Sequence, residues 1–176
     1  NVLKWRFSPN PQRKEKRNEN WEPQLFPLHS LQGISGDALA WLGHNSFFMQ
    51  LGGKRIMFDP VFGNIPFVRR KSKFPADPDI FHNCSRKQMR ILKHHDHFDH
   101  MDKPSIIRLY ENNPRMKVFC GLGMRDLIRG WLPDIQVIEA GWYQRWEEGR
   151  LKITFLPAQH WSKRSLNDGG LRLWGA

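Results

Sequence analysis

Three imidazoles and two carboxylates stand within six residues of one another in His95-Asp96-His97-Phe98-Asp99-His100. In an extended stretch alternate side chains point the same way. His95, His97 and Asp99 can therefore converge on one side, and a turn before Asp102 lets His100 join them. Nitrogen and hard oxygen ligands with positions left open for water are what catalytic zinc takes. A histidine-rich surface tract that binds metal adventitiously is the competing reading. The order of ligand types, between a strand-like run and a helix start, favours a built site. Six adjacent residues rarely fill two metal positions, so a distant ligand is required. His160 is the best placed, because it follows the strand-like run 151–156 after Pro157-Ala158-Gln159; a capping or surface role is its alternative. His94 points away from an extended cluster and is left out, and His29 and His82 read as surface residues. Asp96, next to the ligands, is a candidate for orienting an imidazole or assisting proton transfer. A surface role near the helix is equally open to it.

Elements must place these groups. Runs at 38–42, 46–51 and 54–58 read as short strands, and Gly52-Gly53 sits at two-residue hairpin spacing. Residues 60–88 read as a long loop, since Pro60, Pro66, Pro75 and Pro78 exclude regular structure; it carries Arg69-Arg70-Lys71 and Lys73. Residues 89–92 form a strand candidate leading into His95. Asp102-Lys103-Pro104 is a helix-start signal followed by an apolar face at Ile106, Ile107, Leu109 and Tyr110. Residues 117–120 and 136–139 read as strands, 124–131 as a short helix, 151–156 as a strand, and 171–174 as the start of another. Strands interspersed with helices make the fold class α/β. Residues 1–37 read as a basic, extended arm and 38–176 as the domain.

Composition sets the bounds. At 176 residues with 39% hydrophobic, the chain can build a core. No apolar run approaches the roughly 20 residues that span a bilayer. Cys84 and Cys120 lack a Cys-x-x-Cys spacing and read as reduced thiols, with one distant disulfide as the alternative. The net charge of +11 attracts phosphates, on nucleic acid or on an anionic membrane; a solvated basic surface without such a partner is the alternative. A cytoplasmic or peripheral-membrane location is favoured, although the composition assigns no compartment.

The pattern His-x-His-x-Asp-His after a strand resembles the metallo-β-lactamase superfamily. More narrowly, the chain looks like its N-acyl-phosphatidylethanolamine-hydrolysing phospholipase D branch. The residues carrying that likeness are Trp41-Leu42-Gly43-His44, Phe58-Asp59-Pro60, His97-Phe98-Asp99-His100-Met101-Asp102, the stretch from Gln159 to Asp168, and Leu173-Trp174-Gly175. The resemblance implies an αββα sandwich with metals at one edge of two sheets. His95, His97 and His160 would hold a first zinc, with Asp99 and His100 contributing to a second. His44 and Asp59 would lie in loops near the site. Trp161, Lys163 and Arg164 follow a metal ligand and could line the substrate entrance, with packing or surface roles as the alternative. The family completes its site with a bridging aspartate and a final histidine beyond a Trp-Gly, so this chain looks like the N-terminal half, able to hold the first zinc better than the second. The polar segment 84–90 departs from the apolar strand the family usually has there.

These readings predict a zinc-dependent hydrolase, with Asp99 and Asp96 as its candidate catalytic carboxylates. Metal coordination lowers the pKa of water from 15.7 towards about 7, making a nucleophile available at neutral pH. The resemblance implies a phosphodiesterase acting on N-acyl-phosphatidylethanolamine or a similar phospholipid, docking peripherally on a membrane through the basic loop near Phe62 and Phe67. The alternatives are a nuclease, a lactonase or small-phosphodiester hydrolase, and a metal-binding chain without turnover. Nucleic acid is the less favoured partner, because no aromatic-basic recognition module is present.

Overall fold

The computed structural model describes residues 34–63 and 89–176. Most of the arm expected over 1–37 and of the basic loop expected over 60–88 lies outside these residues, as do His29, His82 and Cys84.

Six strands form one sheet in chain order: β1 (Ala38–Gly43), β2 (Ser46–Leu51), β3 (Lys54–Phe58), β4 (Met89–Leu92), β5 (Lys117–Gly121) and β6 (Gln136–Ala140). β1, β2 and β3 pair antiparallel, and β3 to β6 run parallel. Gly52 and Gly53 turn the chain between β2 and β3 with φ of 54° and 73°. Positive φ at both central residues is the type I′ requirement that the Gly-Gly pair signals in the sequence. Helix α1 (Lys103–Asn112) follows β4. It starts as the sequence predicts: the Asp102 carboxylate accepts from Ser105 N, and Pro104 stands in the first turn. Helix α2 (Arg125–Arg129) is shorter than the expected 124–131.

Successive strand residues face opposite sides. Leu42, Phe48, Met57, Ile91, Val118 and Val137 form one buried row, packed with Ile106, Leu109 and Ile128 of the helices. The opposite row, with Ile56, Phe58, Phe119 and Ile138, is also apolar, the pattern of a sheet covered on both faces. On that side lies a two-stranded sheet of β7 (Arg145–Glu148) and β8 (Leu151–Thr154). Trp146 of β7 packs on Phe119 with ring centroids 4.3 Å apart. A cleft of about 570 Å³ remains between the two sheets. Its walls are mostly their facing apolar rows, and Lys93 and His94 line it at the end where β4 leads into the histidine cluster. Among the described residues no helix is long and apolar enough to cross a membrane.

Strand β7 is absent from the sequence reading, because Arg145-Trp146-Glu147-Glu148 offers one apolar residue among three charges. The signal was the two-residue spacing Gly149-Arg150 before Leu151, with Gly149 at φ 62°. Residues 171–174 do not form the expected strand; instead Leu156 and Ala176 exchange two backbone hydrogen bonds of 2.8 and 2.9 Å. Within the polar approach to the motif, residues 84–88 lie outside the described residues, and Arg90 finds a partner. Arg90 is 1% exposed, and its guanidinium is paired with Glu148 of β7. A buried charge is tolerable when it is paired and hydrogen-bonded.

Candidate metal centre

The parallel strands of an α/β sheet gather ligand-binding groups at their C-terminal ends. Asp59 follows β3 and His94-His95 follow β4, so both arrive at one end of the sheet. His160 reaches the same end from the segment after β8. That segment is held by Trp174, whose indole N–H donates to Ala158 O at 3.0 Å. The Nε2 atoms of His95 and His160 are 2.9 Å apart, and ligand atoms of His95, His97 and His160 all lie within 4.8 Å of one another. His97 Nε2 is buried without a hydrogen-bond partner. Burial, followed by the neighbouring charges of His100, His160 and His97, pushes the His95 pKa down to about 2. Burial and His160 likewise lower that of His97. Both rings are therefore neutral near pH 7, the form that offers a lone pair to a metal. Converging neutral nitrogens, one of them orphaned, fit a cation that accepts imidazole.

A second group joins Asp59, His94 and His100, whose ligand atoms also lie within 4.8 Å of one another. Asp59 is fully buried, at φ 38°. It accepts from His100 Nδ1 at 2.6 Å and from His94 Nδ1. The Lys93 ammonium stands 4.0 Å away. Burial alone would raise the Asp59 carboxyl, but hydrogen bonds from His100 and His94 and the charge of Lys93 hold it well below its usual range. Burial brings Lys93 down to about 8 against the opposing pull of Asp59. The hydrogen bond to Asp59 raises His94 against the effect of burial. With two ring donors and a cation around one carboxylate, this group is satisfied as a hydrogen-bond hub. His94, set aside in the sequence reading, thus belongs to the cluster through Asp59.

Asp99 lies beside the second group: its Oδ2 is 3.1 Å from His44 Nε2 and 3.6 Å from His100 Nε2. The Gly43-His44-Asn45 turn is fixed by Trp41, whose indole N–H donates to His44 O at 2.9 Å. Asn45 was missed from the sequence. Its Nδ2 stands 2.9 Å from His100 Nε2 and 3.1 Å from His44 Nε2. An asparagine in a turn carries no signal of that role.

Two expected roles change. Asp96 is fully buried and turned away from the cluster. Its Oδ1 accepts from Lys163 N at 2.9 Å and its Oδ2 from Arg172 Nη1 at 2.8 Å. Neither a surface position nor proton transfer suits a carboxylate with both oxygens so engaged. Arg164, expected at the entrance, points inward: Nη1 donates to Asp96 O and Met101 O at 2.7 and 2.8 Å. Its guanidinium lies 4.1 Å from the Phe98 ring centroid. Trp161 is 55% exposed beside the cluster, its ring 4.6 Å from that of His97.

A six-stranded α/β sheet thus gathers groups able to hold a metal at the C-terminal end of its parallel strands. The sequence model of the Beta-lactamase superfamily domain matches residues 54–173, and the chain belongs to the metallo-β-lactamase superfamily, in its N-acyl-phosphatidylethanolamine phospholipase D-like branch. It is 30% identical over 166 residues to N-acyl-phosphatidylethanolamine-hydrolyzing phospholipase D 1 of Caenorhabditis elegans, covering 85% of this chain and 46% of that protein. The mitochondrial enzyme of the same description from Saccharomyces cerevisiae is 28% identical over 152 residues, 76% of this chain and 29% of that one. The solved structure of Igni18, a metallo hydrolase from Ignicoccus hospitalis, shares the fold with a TM-score of 0.54 at 20% identity, over 70% of this chain and 49% of that one. The chain thus spans less than half the length of these relatives.

Proposed function

We propose that His95, His97 and His160 hold one zinc ion, that Asp99 and His100 serve a second, and that the site hydrolyses a phosphodiester bond of N-acyl-phosphatidylethanolamine or a similar phospholipid. The observation that carries the metal reading is the convergence of three imidazoles around the orphaned His97 Nε2. An all-imidazole set with adjoining carboxylate is the chemistry zinc prefers. When bound, the metal supplies Lewis acidity towards water and a phosphoryl oxygen.

The chain's own residues do the rest. His95 and His97 stay neutral and keep their lone pairs available. Asp59 accepts a hydrogen bond from the Nδ1–H of His100 and so leaves Nε2 facing Asp99, the arrangement by which carboxylates orient ligating histidines. Asp99 Oδ2 and His44 Nε2, 3.1 Å apart, can share a proton at the edge of the cluster, where His44 also meets substrate. Trp161 covers His97 and, with Lys163 on the same loop, makes the rim by which substrate enters. The lipid substrate is supported by what the relatives are described as hydrolysing, and the net charge of +11 agrees with a phosphate ester.

The test is a turnover assay on the purified, zinc-loaded chain with N-acyl-phosphatidylethanolamine in mixed micelles, following N-acylethanolamine by mass spectrometry. Parallel reactions contain an RNA oligonucleotide and a lactone. Release that disappears in His95→Ala supports the proposal. Turnover of RNA or lactone instead of lipid overturns the substrate, and zinc binding without any turnover overturns catalysis by this chain.

A further inference from the structure

We infer that Asp96 and Arg172, neither of them a metal ligand, are positioning residues that set His160 against His95 and His97. The inference rests on the ligand set proposed above. His95 and His97 flank Asp96 on the loop after β4, whereas His160 lies on a different loop and is exposed. Burial does not fix its place; Trp174 holds the segment before it through Ala158 O, and contacts between the two loops hold the segment after it.

Those contacts converge on Asp96. Its carboxylate is fully buried and takes Lys163 N on one oxygen and Arg172 Nη1 on the other, at 2.9 and 2.8 Å. Arg172 Nη1 also donates to Asp168 Oδ2 at 2.9 Å. The loop so gripped is closed on itself. Ser162 Oγ donates to Arg172 O at 2.6 Å, and Asp168 Oδ1 accepts from Arg164 N and Ser165 N at 2.9 and 2.6 Å. Residues 162–172 therefore move as one unit hung on Asp96, with His160 two residues before it. Arg164 adds a second tie to the same loop through Asp96 O and Met101 O. Releasing the unit would let His160 drift while His95 and His97, anchored at the end of β4, stay put. Three ligands would become two.

Partners that orient metal ligands typically contribute about 10- to 100-fold in affinity. The experiment titrates the metal-free chain with zinc against a chromogenic chelator, and records the visible absorption of the cobalt(II)-loaded chain. Arg172→Met is expected to weaken zinc by roughly that factor and to give the cobalt spectrum of His160→Ala. Arg172→Lys, which keeps a donor and the charge, should recover most of the affinity. Wild-type affinity and spectrum in Arg172→Met would overturn the inference. If Arg172→Met does not fold by circular dichroism, Asp168→Asn carries the test, with severalfold weaker zinc expected and unchanged affinity refuting it. The ligand reading fails separately, if His95→Ala and His160→Ala bind zinc as tightly as the wild type.

Discussion

Taking the metal-free chain from about pH 7.5 to about pH 5 should expose how badly His95 tolerates a proton. Burial, then the charges of His100, His160 and His97, lowers its pKa from 6.5 to about 2. The unfolded chain binds a proton at His95 as the pH falls through 6.5, and the folded chain does not. Stability is therefore lost progressively below that value, down to about 2. At about pH 5 the loss covers roughly 1.5 pH units at about 1.4 kcal/mol each, or about 2 kcal/mol. His97 is also lowered and acts in the same direction. His94 is raised by its hydrogen bond to Asp59 and acts oppositely: its contribution is full below the unfolded value and fades as pH rises through the folded one. Comparison with His95→Asn isolates the His95 share. Urea unfolding of both proteins in chelator, at the two pH values, should show the wild type losing about 2 kcal/mol more than the variant. Equal losses would refute the claim that the folded site rejects this proton.

Three substitutions probe the supporting structure. Glu148→Gln removes the carboxylate charge paired with buried Arg90 and should cost about 2 kcal/mol, lowering the melting midpoint by about 4–8 °C; Arg90→Met/Glu148→Gln should regain part of it, and a double variant no better than the single would refute the pairing. Asp59→Asn leaves Lys93 buried without its counter-charge and takes one acceptor from His94 and His100, so a loss of about 3–5 kcal/mol is expected in chemical denaturation; an unshifted transition would show that the hub is dispensable. Gly175→Ala drives a methyl group into Leu156 O and to 2.7 Å from the Phe155 ring, for about 1–3 kcal/mol, whereas Gly36→Ala, with nothing within 4 Å, should leave the melting curve unmoved.

What the sequence reveals about this site is local, and what it hides is distant. Alternation puts His95 and His97 on one side, but a turn closed by His100 N and Met101 N on His97 O carries Asp99 and His100; Gly52-Gly53 and Asp102-Lys103-Pro104 fix a hairpin and a helix start through backbone chemistry that needs no partner. The partners of Arg90, Asp96 and Asp59 lie 58, 76 and 41 residues away in Glu148, Arg172 and His100. Such pairs depend on strand register and loop path, which no local pattern encodes. Arg90 therefore looked like a defect in a buried strand until β7 supplied its counter-charge, and Arg164 looked like an entrance residue until its guanidinium turned inward.

One of these distant contacts was nevertheless implicit in the local argument. If His95 and His97 face the cluster from an extended segment, the residue between them must face the opposite way. A charged residue there leaves the metal side and must meet something else, and burial requires that this be a donor. Asp96 meets Lys163 N and Arg172 on the loop that follows His160. Asp59 does the equivalent on the other flank, taking the Nδ1 protons of His94 and His100 while its backbone N–H donates to Leu92 O. The two fully buried carboxylates thus act one layer behind the imidazoles, each joining the loop after β4 to another element. Around these imidazoles the two buried acids serve as supports, whereas Asp99, half-buried beside His44, keeps its carboxylate partly exposed.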